Sequence, residues 1–266
     1  MIRTWAPDDL WEIAAPLIPP APVRRQGGGR RRVDDRAVFA AIVYVTQAGC
    51  SWWKLPEASF GVTRATAHRR FSQWTAAGFW LRLHEATLDR LGADRRIDWS
   101  RAVVDSISVR AGKGGDLTGP NPVDRGKPGS KLHVICDRNG LPLAVLATAA
   151  NVHDSQLLLP MLDSVPAIRT PNGRRRWRPD KLHADKAYDA RELRREVRRR
   201  GIKVRIARKG IESSTRLGRH RWVVEACMSW LMRYRRLVRR YDRKGDHFEA
   251  FATIASTLIC YRRLTK

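Results

Sequence analysis

The spacing of apolar residues changes part-way along the chain. Over residues 34–48, Val38, Ile42 and Val45 recur at helical steps, with Asp34 or Asp35 as the cap and Gly49 as the stop. A shorter helix opens at Pro7 or Asp8. Its apolar face is Leu10, Trp11, Ala14, Leu17 and Ile18, and Pro16 ends it. Residues 63–77 place Ala67, Phe71 and Trp74 on one helical face and Thr66, Arg69 and Gln73 on the other, flanked by Arg70. Gly78 closes that helix, and a third is expected over residues 80–92. A helix, a compact aromatic turn (CSWWKLP) and a helix with a polar, Arg-bearing outer face fit a helix-turn-helix type of DNA reader.

From residue 101 the period shortens. Residues 101–109 are rich in β-branched side chains and read as a strand. Residues 131–137 and 141–148 read as two more strands around the turn Arg138-Asn139-Gly140, which Asp137 suits. The Gly- and Pro-dense stretch 112–129 reads as a loop. Further on come a helix over 154–165, capped by Asp154, and a strand over 181–185. Next are a helix over 189–200 with Asp189 and Glu192 in capping-box relation, and a strand over 203–208. Long helices are expected over 218–240 and 247–264. In the first, Val223, Cys227, Trp230, Tyr234 and Leu237 form a stripe that packs on the sheet. The fold class is α/β: a helical DNA-binding domain over 1–97, then a mixed-sheet domain over 98–266.

Composition narrows the function. At 43% hydrophobic the 266 residues can bury a core, and no apolar run is long enough to cross a membrane. The N-terminus lacks the pattern of a secretory signal, so the expected place is the cytoplasm, in association with the nucleoid. The four cysteines form no CxxC pair and read as reduced core residues. The net charge is +26, and residues 166–266 alone hold 30 basic and 10 acidic side chains. A positive field of that size attracts nucleic acid. Arg30, Arg31 and Arg32 flank a run of three glycines and read as a phosphate-contacting arm.

In so basic a chain the acids within apolar segments stand out. Asp105 lies in an apolar strand, Asp185 ends another, and Glu225 lies within a long helix, some 200° round from Cys227. Arg221, Ser229 and Arg233 share its face. Three carboxylates of this kind suit a site with two Mg²⁺ ions for phosphodiester chemistry, because hard cations take oxygen ligands. Each acid could equally be half of an ion pair. No HExxH, GxSxG or P-loop motif is present.

Several segments carry a resemblance. They are AVVDSISVRA (102–111), GPNPVDRGKPGSKLHVICD (119–137), ATAANVHDSQLLLPML (147–162), LHADKAYDA (182–190) and GRHRWVVEACMSWLMRYRRLVRRYDR (218–243), with a helical leader over 50–80. They resemble the DDE transposases of bacterial insertion sequences, in particular the insertion-sequence-five family. The resemblance implies an RNase H-like catalytic fold with Asp105, Asp185 and Glu225 as catalytic, metal-holding residues, 80 and 40 positions apart. Arg221 matches the Arg four residues before the Glu. The family's Tyr is Gly218 here, and its later basic position is Met232, with Arg233 beside it. Lys127 and Lys131, within the matching 119–137 stretch, join the expected DNA contacts. The implied reaction is metal-dependent cleavage at element ends and strand transfer into target DNA. It would use Mg²⁺, with Mn²⁺ able to substitute, and a homodimer or larger assembly on double-stranded DNA. A nuclease that cuts without joining, or a DNA-binding protein without catalysis, are the alternatives.

Overall fold

The computed structural model describes residues 1–21, 32–208 and 214–265, with 214–221 as backbone alone. The chain opens with helices α1 (Ile2–Trp5), α2 (Asp8–Ala14), α3 (Asp35–Ala48), α4 (Glu57–Phe60), α5 (Arg64–Ala76) and α6 (Phe79–Ala93). Then follow β1 (Ala102–Ala111), β2 (Gly119–Pro120), β3 (Pro128–Asp137), β4 (Pro142–Ala149), α7 (Leu158–Asp163), β5 (Ile168–Arg169) and β6 (Arg175–Arg176). The last elements are β7 (Lys181–Ala184), α8 (Arg191–Arg199), β8 (Lys203–Ile206), α9 (Ser214–Met232), α10 (Arg235–Val238), β9 (Arg239–Arg240) and α11 (Gly245–Leu264).

Local chemistry sets the helix ends. The Asp34 carboxylate accepts from the Ala37 N–H at 3.1 Å, and the Thr63 hydroxyl accepts from the Thr66 N–H. Such caps stabilise a helix by about 1 kcal/mol each. Gly49 ends α3 in the left-handed region (φ 68°), and a Cβ there would overlap Arg235, so no other residue fits.

The main sheet runs β4-β3-β1-β7-β8. The β4/β3 and β3/β1 pairs are antiparallel, and β1/β7 and β7/β8 are parallel. This is the strand order of the RNase H-like fold. Alternation along β1 splits its side chains. Ala102 and Val104 enter an apolar layer with Met161, Tyr188 and Val197 from the α7–α8 side. Val103 and Val109 enter the opposite layer, with α9, α11 and the N-terminal helices. Helix α11 is buried along most of its length, and Phe251 stacks on Phe71 of α5 at 4.5 Å. One core therefore joins the helical region to one face of the sheet.

Three expectations meet a different outcome. The helix expected over 218–240 stops at Met232, and the chain turns into α10 and β9. Tyr234 and Leu237 stay buried across the break, so a turn preserves the apolar stripe that helical spacing suggested. Asp189 and Glu192 form no capping box: α8 begins at Arg191 without a side-chain cap, and Asp189 binds Arg194 at 2.6 Å. Asp154 does not cap its helix either. His153 accepts from the Ser155 N–H, and Asp154 pairs with Lys131. In a chain this rich in arginine, ion pairing outcompetes capping for available carboxylates.

Buried histidines make stability depend on pH. His84 on α6 donates to the Leu143 carbonyl of β4 at 3.3 Å, and burial pushes its pKa down to about 4. Burial does the same to His133 on β3. Both fall below the unfolded value of about 6.5. Their stability is therefore complete above that pH and is lost as pH falls towards 4. Burial pushes Asp137 up to about 6, which works with opposite sign and offsets part of this. The expected result is a Tm that drops between pH 7 and pH 5, with a smaller drop in His84→Gln. Thermal unfolding followed by circular dichroism checks it, and a Tm that rises on acidification refutes it.

Candidate active site and nucleic-acid interface

The two aspartates stand level on neighbouring strands. Val103 of β1 pairs with His183 of β7 in parallel register, and Asp105 and Asp185 each lie two residues further on. Leu182 and Ala184 face the α7–α8 layer, so alternation turns Asp185 to the other face, as it does Asp105. That face is the one α9 covers, through Val223, Val224, Cys227 and Leu231. Both aspartates are half-buried. Asp105 Oδ1 accepts from the Ser106 N–H at 2.9 Å. Asp185 Oδ1 accepts from the Ala187 N–H at 2.7 Å, which caps a short 3₁₀ turn and fixes the carboxylate where β7 ends.

Glu225 is exposed, as are Ser229 and Arg233 on the same side of α9. It lies about 60° round the helix from Met228, at the rim of the packed face. Among the described residues no three His, Cys, Asp or Glu side chains gather closely enough to hold a metal ion. The structure brings Asp105 and Asp185 together and leaves Glu225 outside that pair. The donor chemistry still suits a hard divalent cation, since two carboxylates share one sheet face.

The expected DNA contacts divide in the same way. Arg69 and Gln73 are exposed on α5, and Thr66 is half-buried with its hydroxyl bonded to Thr63. Arg70 is a correction. Its side chain is only 7% exposed and is ion-paired with Asp35, so it serves the core and not a DNA surface. Asp35 also takes Arg32 at 3.0 Å. Lys131 is a second correction: at 14% exposed, its ammonium donates to the Val152 carbonyl and to Asp154, both at 2.8 Å. Lys127 and Arg233 are exposed. Arg30, Arg31 and the side chain of Arg221 lie outside the described residues.

The sequence reading passed over a basic cleft of about 570 Å³ lined by Arg96, Arg101, Arg138 and Arg263 beside Trp222. It also passed over two buried arginines, Arg236 and Arg240. The run of arginines over 233–243 holds both exposed and buried members, and spacing alone does not tell them apart.

The strand order and the level aspartates define a nucleic-acid enzyme of the RNase H-like class. The chain belongs to the DDE transposase family: the description "Transposase DDE domain" matches residues 100–261. Residues 7–84 match "Putative transposase of IS4/5 family (DUF4096)". The chain is 43% identical over 178 residues to the "Putative transposase for insertion sequence element IS402" of Burkholderia cepacia, covering 67% of this chain and 81% of that protein. A second Burkholderia cepacia protein, the 16.2 kDa protein of insertion element IS402, is 42% identical over 116 residues, covering 43% of this chain and 79% of that one. A piggyBac transposase synaptic complex with hairpin DNA shares the fold at a TM-score of 0.50 and 8% identity, covering 98% of this chain and 74% of that one. The family's activity is DNA cleavage and strand transfer with a divalent metal. Among the described residues no helix is long and apolar enough to cross a membrane.

Proposed function

We propose that this chain binds the ends of its own insertion element and cuts them. It then joins the freed ends to target DNA, as a homodimer or larger assembly on double-stranded DNA. The observation that carries the reading is the level placement of Asp105 and Asp185 on one face of adjacent parallel strands. Asp105, Asp185 and Glu225 would hold the metal, with Mg²⁺ as the resident ion, two per site, and Mn²⁺ able to replace it. Bound there, the metal would supply Lewis-acid activation of the attacking oxygen and charge stabilisation at phosphorus. In the first reaction a water oxygen bonds to phosphorus and the element's 3′-oxygen leaves as a hydroxyl. In the second, that hydroxyl bonds to a target phosphorus and expels the target's own 3′-oxygen, which takes up a proton. Arg233 and Lys127, both exposed, would hold phosphates by charge.

The test is a linear duplex carrying the gene's flanking ends, incubated with the protein and either Mg²⁺ or EDTA. Nicks at the ends followed by joined products, both lost in EDTA, support the reading. Nicks that never lead to joining reduce it to a nuclease. Salt-sensitive binding with no nicks makes the chain a DNA-binding protein alone.

Sequence reading is proposed for α5. Arg69→Ala with Gln73→Ala is expected to weaken binding to element ends by about 10- to 100-fold, and random DNA by much less, because base-edge contacts carry the discrimination. Fluorescence anisotropy on both DNAs checks this. Equal losses would make α5 a phosphate clamp.

A further inference from the structure

The reaction above makes no use of the groove between the 50–54 turn, α5 and the segment that follows β9. It encloses about 700 Å³, within the range of small-ligand pockets. Arg236 and Asp242 line it, with side chains 4% and 8% exposed, joined at 2.7 Å. Each keeps one buried polar atom without a partner: Nε of Arg236 and Oδ2 of Asp242. Trp52 Nε1, on the same wall, is a third. Two orphan donors and one orphan acceptor thus belong to a single cavity wall. Buried polar atoms are normally satisfied, so three together mark a place where a ligand's polar edge fits. Trp53 also lines the groove, 75% exposed, with the Arg64 guanidinium 3.9 Å from its ring centroid on one face. Lys113 and Lys244 line it too, and both are exposed.

We propose that this groove holds one unpaired nucleotide of the bound DNA. A free base edge offers both donors and acceptors, which pairing would use up in a duplex. Trp53 supplies a stacking surface and the two lysines a phosphate grip. The location suits a strand engaged at the aspartates. β9 pairs with the end of β1 at Arg110 and Ala111, and Asp105 lies five residues earlier, about 16 Å along the strand. The proposal rests on the DNA-binding reading above, and its test separates the two.

The full chain is titrated with a blunt duplex and with the same duplex extended by a three-nucleotide overhang carrying 2-aminopurine. Affinity is read by anisotropy and stacking by the quenching of 2-aminopurine. The overhang is expected to bind about 5- to 10-fold tighter and to be quenched, as one stacked base contributes. Trp53→Ala, at an exposed position, is expected to erase both the preference and the quenching, while blunt-duplex affinity stays within about 2-fold. Lys113→Ala is expected to reduce the preference in part. Equal binding of the two DNAs by the wild type overturns the proposal. So does a Trp53→Ala loss that is the same for both. Failure to bind either DNA overturns the DNA-binding reading itself.

Discussion

Asp105→Asn, Asp185→Asn and Glu225→Gln are each expected to abolish DNA cleavage while DNA affinity stays the same or tightens. Each change removes one negative charge that would bind metal and repels phosphate in its absence. Losing a metal ligand costs several kcal/mol of transition-state stabilisation, so the fall in rate is at least about 10³-fold. The folded state has little reason to suffer. Asn at 185 keeps a carbonyl oxygen for the Ala187 N–H, and Glu225 is exposed. An unchanged Tm alongside lost cleavage is therefore the signature of a chemical role. Asp105 and Asp185 occupy equivalent register positions, so their variants should fail alike. Glu225 is the discriminating member, because the structure does not gather it with the other two. Cleavage retained in Glu225→Gln would falsify its place in the site and leave the aspartate pair standing. Gel assays of end cleavage, with anisotropy on the same DNA, read both quantities.

The parts of this fold that were legible in the sequence are those where one physical rule acts alone. The 3.6-residue spacing of Ala67, Phe71 and Trp74 marked the buried face of α5, and the turn at Gly140 marked the β3–β4 hairpin. Asp105 showed as an acid in an apolar strand. Its level position beside Asp185 could not be read, because strand register is a long-range property. Where two rules competed, the sequence misled. Asp154 and Asp189 carry capping signals, yet each found a nearer cation in Lys131 and Arg194. Arg70 is one residue from the exposed Arg69, yet it points at Asp35 across the core. The DNA reading rested on a count of positive charges, and such a count does not separate arginines that face solvent from those that hold the fold.

Arg240 is the strongest case of the second kind, and Arg240→Met is expected to cost about 3–5 kcal/mol of stability. Its side chain is 1% exposed. Nη1 donates to the Leu117 carbonyl at 3.0 Å, to Ser130 Oγ at 2.7 Å and to Thr118 Oγ1 at 3.3 Å. Nε donates to the Asp242 carbonyl at 2.8 Å, and Nη2 to the Arg243 carbonyl at 3.2 Å. One planar fork thus ties the Gly-rich 112–129 loop to the turn after β9. Leu117 holds a left-handed backbone (φ 53°) at the point where Nη1 grips it, a conformation that a β-carbon disfavours and the guanidinium helps to maintain. Methionine matches the volume but leaves these acceptors buried and unpaired. In a chain of this size each kcal/mol is worth about 2–4 °C, so the Tm should fall by roughly 10 °C. Arg240→Lys should recover little, because a single ammonium has three donors and cannot span acceptors on both segments. β9 lies against the last residues of the strand that carries Asp105, so loosening this clip should also lower cleavage at growth temperature. That loss should reverse on cooling, which no loss from a metal-ligand variant would do. A Tm change under about 3 °C in Arg240→Met would show that the two segments hold together without it.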